Sequence, residues 1–302
     1  MTTPIRTQAL TRRYRRQMAL DGLDLQVPEG SIFGLVGPNG AGKTTAIKIL
    51  MKLIRPSSGT AEILGCDAGK LGPAQFAQIG YVSENQKLPD WMTVAYFMNY
   101  LRPFYATWDD ALASELIRQF DLPPDRKLRH LSHGMRMKAA MAAALAYRPK
   151  LIVLDEPFTG LDPLVRDELI EGLLPRAENT TVFISSHDLA EIESFASHIG
   201  FLDRGRLQFS EEMSALAERF REVEVTIDRA GSNGIAPDWP AHWLNAQKSA
   251  AVFRFVESRF EEERTMADVH RVFGDALHVT VNPMPLRAIF VALAKASRKA
   301  AA

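Results

Sequence analysis

The segment Gly37-Pro38-Asn39-Gly40-Ala41-Gly42-Lys43-Thr44, followed by Thr45, constrains this chain more than any other. Glycines, a lysine and a hydroxyl residue at G-x-x-x-x-G-K-[ST] spacing let the backbone curl until successive N–H groups converge on phosphate. Side chains at the glycine positions would block that approach. Lys43 then supplies a positive charge to the outer phosphates, and the Thr44 hydroxyl a ligand for Mg²⁺. Ahead of the loop, the apolar run Ser31–Val36 predicts a strand buried on both faces. After it, Ile47, Leu50, Met51 and Ile54 predict a helix over 44–53, whose positive dipole end favours an anion. Strand, glycine loop and helix open a βαβ unit. Accident produces this pattern in roughly one chain per hundred of this length, so a nucleotide site outweighs a surface loop.

The run Leu151-Ile-Val-Leu154 predicts a second buried strand and ends in Asp155-Glu156, at the strand end where open α/β sheets bind ligands. Asp155 suits Mg²⁺, usually through water. Glu156 suits orienting and deprotonating an attacking water. Alone, such a pair before Pro157 serves as often to cap a helix; the phosphate loop upstream favours the chemistry. Thr181–Ser185 predicts a further parallel strand. Between these strands, Thr93–Tyr105, Trp108–Phe120 and His133–Tyr147 read as helices of a subdomain inserted at about 86–148. Beyond residue 213 the pattern changes. Arg221–Ile227, Ala251–Val256 and Ala276–Val281 alternate like half-buried strands, Thr265–Phe273 and Leu286–Ala300 are helical, and Gly231–Gly234 marks a turn. The expected organisation is an α/β domain over 1–213 and a small α+β domain over 214–302.

Length agrees: 302 residues allow two domains at about 150 each. Lys plus Arg and Asp plus Glu each number 36, so no net charge steers the chain onto nucleic acid. The cluster Arg12-Arg13-Tyr14-Arg15-Arg16 reads as the solvated edge of a hairpin. A single cysteine, Cys66, can form neither an internal disulfide nor a zinc site, and the histidines lack metal-ligand spacing. No apolar run approaches the ~18 residues of a membrane span, and the first residues lack the apolar stretch of a secretory leader. A reducing cytosol is the expected compartment.

The remaining motifs resemble those of ABC ATPases. Leu131-Ser132-His133-Gly134-Met135 resembles the family's signature, Leu161-Asp162 its D-loop, and His187 after Ser185-Ser186 its switch histidine. Gly80-Tyr-Val-Ser83-Glu84-Asn85 aligns with the Q-loop, and Tyr14 sits where the family places an aromatic that stacks on adenine. The order of the motifs is the family's order, over residues 1 to about 213. Ala19–Leu25, Trp108-Asp109 and Pro285–Leu293 look most like the ATP-binding subunits of ABC-2-type exporters.

The resemblance implies a P-loop NTPase core of ABC type with an inserted helical subdomain. It further implies a subunit that hydrolyses ATP with Mg²⁺ and drives a separate membrane permease of the export type. Such a subunit lies in the cytoplasm, peripheral on the inner face of the cell membrane. Two copies would pack head to tail, so that Lys43, Mg²⁺ and His187 of one chain face Ser132 and Gly134 of the other across the γ-phosphate, with Asp162 nearby. Glu156 and His187 would be catalytic, and Thr44, Asp155 and Glu84 would surround the metal. Two positions depart from the consensus. His133 and Met135 replace a glycine and a glutamine of the signature and are not counted as ligands, and Glu84 stands where glutamine is usual. As an ionised carboxylate, Glu84 accepts hydrogen bonds without donating them. A groove beside Glu84, bordered by Trp91, Met92, Tyr96 and Phe97, is where a permease helix would dock. The small C-terminal domain would be regulatory or would support the dimer. DNA-repair and ribosome-acting ABC proteins fit less well, for lack of coiled-coil or zinc insertions and of a second cassette. A GTPase lacks its N-K-x-D segment here.

Overall fold

The computed structural model describes residues 3–177, 180–226, 239–249, 252–274 and 278–300. The chain divides into two units, Met1–Ser210 and Glu211–Ala302. In the first, β1 (Ile5–Tyr14), β2 (Gln17–Val27), β4 (Ser58–Ile63) and β5 (Cys66–Asp67) form an antiparallel sheet in the order β2-β1-β4-β5. A six-stranded sheet combines β3 (Ile32–Val36), β6 (Ile79–Ser83), β7 (Leu151–Asp155), β8 (Thr181–Ser186), β9 (His198–Asp203) and β10 (Arg206–Glu212). Its order is β10-β9-β3-β8-β7-β6, and the pairs β9–β3, β3–β8, β8–β7 and β7–β6 are parallel. Strands β7 and β8 are buried at every position, as uninterrupted apolar runs require inside a parallel sheet. Each Leu, Ile or Phe so removed from water contributes about 1.5–3 kcal/mol against chain entropy.

Register matters most for function. Ser83 of β6 lies beside Asp155 of β7, and Asp155 beside Ser185 of β8, which in turn pairs with Leu35 of β3. The segments beginning at Gly37, Glu84, Glu156 and His187 therefore leave one edge of the sheet side by side.

Helix α1 (Lys43–Leu50) follows the phosphate loop and is shorter than the apolar spacing predicts. Lys52 adopts φ +57°, and the Leu53 N–H reaches back 2.8 Å to Lys48 O, so the chain turns where periodicity alone would continue it. After the short α2 (Pro73–Phe76) come the three expected helices of the insertion, α3 (Val94–Leu101), α4 (Asp110–Gln119) and α5 (His133–Leu145). Their N-caps are legible in the sequence: Thr93, Asp109 and Ser132 accept from Tyr96 N, Leu112 N and Met135 N at 3.2, 2.9 and 3.2 Å. Tyr147 stacks on Tyr105 at 3.8 Å and donates to Ile79 O at 2.8 Å, which fastens the end of this helical layer to β6. Helix α6 (Pro163–Ala177) follows β7 and packs on α5. At that contact a Cβ on Gly134 would meet Val165 Cγ1 at 2.9 Å, and the buried Lys138 pairs with Glu168 at 2.5 Å.

The second unit begins with α7 (Met213–Arg219). Strands β11 (Arg221–Thr226), β12 (Trp243–Ser249), β13 (Val252–Glu257) and β14 (His278–Pro283) then form an antiparallel sheet in the order β12-β13-β11-β14. Helices α8 (Glu262–Phe273) and α9 (Leu286–Ala300) complete it, as expected of an α+β module. Val223, Val225, Trp243, Phe253, Phe255 and Val269 make its core. Strand β12 was not expected, because its residues after Leu244 are too polar to alternate visibly. The Gly231–Gly234 turn, Pro237, and the ends of the expected strands at Ile227, Ala251 and Ala276 lie outside the described residues.

Candidate functional site

A cleft of about 540 Å³ opens where the aligned strand ends meet the antiparallel sheet. Tyr14, Gln17 and Ala19 line one part of it; Asn39 through Thr45, Glu84, Glu156, Thr159 and His187 line the rest. The phosphate loop is shaped by its glycines. Gly40 and Gly42 take φ +82° and +111°, and a Cβ on Gly42 would lie 2.4 Å from Ala19 O. A Cβ on Gly37 would lie 2.0 Å from Leu202 O.

Lys43 is buried and donates to Gly37 O at 2.6 Å and Pro38 O at 3.3 Å, while its Nζ lies 3.1 Å from Glu156 Oε1. Glu156 Oε2 lies 2.7 Å from His187 Nδ1 and accepts from His187 N at 3.2 Å and from the Thr159 hydroxyl at 3.3 Å. Glu156 itself adopts φ +53°, a left-handed conformation that costs a non-glycine residue of order 1–3 kcal/mol and concentrates at functional sites. Its backbone N–H is held by Ser185 Oγ at 3.0 Å.

Asp155 faces a different set of partners. Its Oδ1 accepts from Thr44 Oγ1 at 3.0 Å and from Ser185 Oγ at 2.8 Å, and burial pushes its carboxyl above the ordinary value. Thr44 Oγ1 and Asp155 Oδ1 are separated by 3.0 Å, close to the ~3 Å between adjacent ligands of an octahedral ion with bonds of about 2.1 Å. Among the described residues no group of three His, Cys, Asp or Glu forms a metal cage. A donor set this sparse fits Mg²⁺, which keeps waters and shares substrate phosphates.

Electrostatics tie Glu156 to His187. The hydrogen bond to Glu156 raises the His187 pKa above its ordinary value. Burial acts to raise Glu156, but the His187 hydrogen bond and the Lys43 charge outweigh it, so Glu156 titrates below its ordinary value. A histidine raised on folding stabilises below its unfolded pKa, near 6.5, and the contribution disappears as pH climbs through the folded value. A depressed carboxylate stabilises above its unfolded pKa, and that contribution disappears as pH falls through the folded one. The pair therefore contributes most between the lowered Glu156 and the raised His187 values. In metal-free buffer, His187→Gln is expected to lower Tm most in mildly acidic solution, with the gap to wild type closing as pH rises. A gap that widens with pH would contradict the pairing.

The expected residues separate into two groups. Tyr14, Asn39 to Thr45, Glu84, Glu156 and His187 line the cleft; Gly37, Pro38 and Asp155 are not in the lining, but Asp155 is joined to it by Thr44 Oγ1 at 3.0 Å and by Glu84 N, which donates to Asp155 O at 3.0 Å. Ser132, Gly134 and Asp162 do not line it. Ser132 and Asp162 cap helices, Asp162 accepting from Val165 N at 3.0 Å, and Gly134 is the close-packing point against Val165. Two site residues escaped sequence reasoning. Ser185 is fully buried and bridges both acids; a buried hydroxyl directly after the apolar Val182–Ile184 run is the signal that it has a partner. Thr159 carries no comparable signal.

Residues 20–159, which span the phosphate loop, Ser132 and both acids, match the ABC transporter family. The chain is 38% identical over 208 residues to the daunorubicin resistance ATP-binding protein DrrA2 of Streptomyces coeruleorubidus, covering 67% of this chain and 65% of that relative. It is 35% identical over 211 residues to the bacitracin transport ATP-binding protein BcrA of Bacillus licheniformis, covering 68% of this chain and 69% of that one. The fold resembles a solved ATP-binding subunit of an ABC transporter with a TM-score of 0.65 at 27% identity, over 72% of this chain and 92% of that structure. With likeness of this extent running through the residues that build the cleft, the chain belongs to the ABC transporter ATP-binding proteins.

Proposed function

We propose that this chain binds ATP with Mg²⁺ and hydrolyses it, and that two head-to-tail copies power a separate membrane permease of the export type. One observation carries the reading: Lys43, Thr44, Glu156 and His187, from three separate segments, converge on one cleft that also presents Tyr14, with Asp155 hydrogen-bonded to Thr44 beside it. Tyr14 stacks on adenine, and the loop N–H groups from Asn39 to Thr45 take the phosphates. Thr44 and Asp155 would hold Mg²⁺, with Glu84 at its edge; the ion, when bound, offsets phosphate charge. Lys43 exchanges its carboxylate partner for phosphate oxygens, which frees Glu156 to accept a proton from the attacking water. The water oxygen bonds to the γ-phosphorus as the bond to the bridging oxygen breaks, giving ADP and phosphate. His187 keeps Glu156 aligned and faces the developing charge.

One chain leaves that pocket open on one side. Ser132 accepts from Met135 N–H, so its own hydroxyl proton is free to donate to a phosphate bound by a second copy. Gly134 allows close approach beside it, and Asp162 meets the same interface. Departure of the γ-phosphate removes the shared contact and the dimer opens. For the permease, Trp91 and Tyr96 of the expected groove are exposed and in ring contact, whereas Met92 and Phe97 are buried and cannot border it; Tyr100 and Phe104 add a second exposed aromatic pair, with Trp91 62% and Phe104 63% exposed. Contiguous apolar surface of this kind marks a protein-contact region. No described helix is long and apolar enough to cross a membrane; the location that goes with the proposed role is the cytoplasm, peripheral on the inner membrane face. The relatives' names, daunorubicin resistance and bacitracin transport, favour export as the direction. Nucleic acid is not an expected partner. The second unit offers no catalytic constellation among its described residues and acts as a regulatory or dimer-supporting module.

The test is turnover per chain against protein concentration. Specific ATPase activity is expected to rise as copies associate, and Ser132→Arg to reduce it at least about tenfold while each chain still binds ATP. Full activity in a demonstrably monomeric chain, indifferent to Ser132→Arg, would overturn the shared-site reading.

A further inference from the structure

We propose that Arg12 is a positioning residue for the nucleotide base: its guanidinium covers one face of Tyr14 and leaves the other face for adenine. The inference rests on the reading of Tyr14 as the adenine platform. Arg12 and Tyr14 stand two residues apart at the end of β1, where its pairing with β2 is irregular between Arg12 and Arg13. Arg12 Cζ lies 4.6 Å from the centroid of the Tyr14 ring. The guanidinium is anchored from elsewhere, because Nη1 donates to Arg55 O at 2.8 Å. Its Nε is buried without a hydrogen-bond partner among the described residues.

The anchor is itself tied to the hairpin. Ser57 N donates to Thr11 O at 2.7 Å, and Ser57 Oγ accepts from Arg13 N at 3.0 Å. The 55–57 segment follows the turn that ends α1, the helix that starts at Lys43. The carbonyl that anchors Arg12 therefore sits in a segment that is itself hydrogen-bonded to β1. Tyr14 is 41% exposed at the hairpin end, where an unsupported ring would sample several rotamers. A cation over one face selects the orientation that lines the cleft, so less rotamer entropy is lost when a base stacks on the other face.

The experiment is equilibrium binding of ATP, GTP and inorganic tripolyphosphate, with Mg²⁺, to the full chain and three variants. They are Arg12→Met, which keeps the apolar stem; Tyr14→Ala; and the double substitution. Cation–π pairs shift equilibria by about two- to thirtyfold, and Arg12→Met is expected to weaken ATP about three- to tenfold. GTP should weaken to the same extent, because stacking tolerates any base. Tripolyphosphate affinity should stay unchanged, which also shows that the variant is folded. In the Tyr14→Ala background, Arg12→Met should add nothing. If Arg12→Met weakens tripolyphosphate in step with ATP, or weakens ATP equally without Tyr14, Arg12 acts on phosphate and the inference fails. If Tyr14→Ala weakens ATP and Arg12→Met does not, the inference fails while the platform stands. If Tyr14→Ala leaves ATP affinity intact, the adenine platform itself is wrong.

Discussion

Glu156→Gln is expected to cut steady-state ATP turnover by at least about a hundredfold, the usual scale for losing a positioned general base, while ATP binding survives. The substitution keeps the shape of the side chain and removes its negative charge. Among the described residues Glu156 is the one acid in contact with both Lys43 and His187, at 3.1 and 2.7 Å. Asp155 is committed to Thr44 and Ser185. Loss of the charge also releases Lys43 from its ion pair, so ATP affinity should hold or increase. A chain that binds without hydrolysing should accumulate as an ATP-bound dimer, visible by size-exclusion chromatography as a species twice the mass of the wild type. Phosphate release at the wild-type rate would remove Glu156 from the chemistry.

Gly42→Ala should damage both nucleotide binding and the fold. At φ +111° an alanine is strained wherever it sits, at a cost of order 1–3 kcal/mol. Its Cβ would also lie 2.4 Å from Ala19 O and 2.9 Å from Leu20 Cδ2. The first of these is a backbone atom of β2 and cannot rotate away. Relief requires the loop to move from the strand, which carries the N–H groups at the start of α1 out of line. ATP affinity is expected to fall more than about tenfold and Tm by several degrees, the shift that a loss of 1–3 kcal/mol produces. Gly40→Ala is the matched control: φ is +82°, yet nothing lies within 4 Å of its Cβ, so only the conformational cost applies. Equal behaviour of the two variants in calorimetry and ATP titration would refute the steric account.

The phosphate loop and Asp155-Glu156 are legible because their chemistry needs fixed residue types at fixed spacing, next to apolar runs that fold as buried strands. The N-caps at Thr93, Asp109 and Ser132 are legible for the same local reason. What the sequence hides is non-local. In the β2-β1-β4-β5 sheet the central pairing joins half-polar strands from distant parts of the chain, Ile5 of β1 lying beside Ile63 of β4, with no local pattern to announce it. The clasp of Lys43, Glu156 and His187 depends on strand register and on the left-handed turn at Glu156, neither of which has a residue-level signature. Gly134 carried one meaning in the sequence, as a signature glycine; packing supplies a second, since Val165 leaves no room for a side chain there.

That second meaning has a mechanical corollary. Gly134 against Val165 and Lys138 against Glu168 rivet the leading end of α5 to α6. The stretch from Glu156 to Asp162 feeds directly into α6, so a push on the α5 tip is delivered to the segment that begins at the base. Through these two contacts a load on one helix has a direct path to the other.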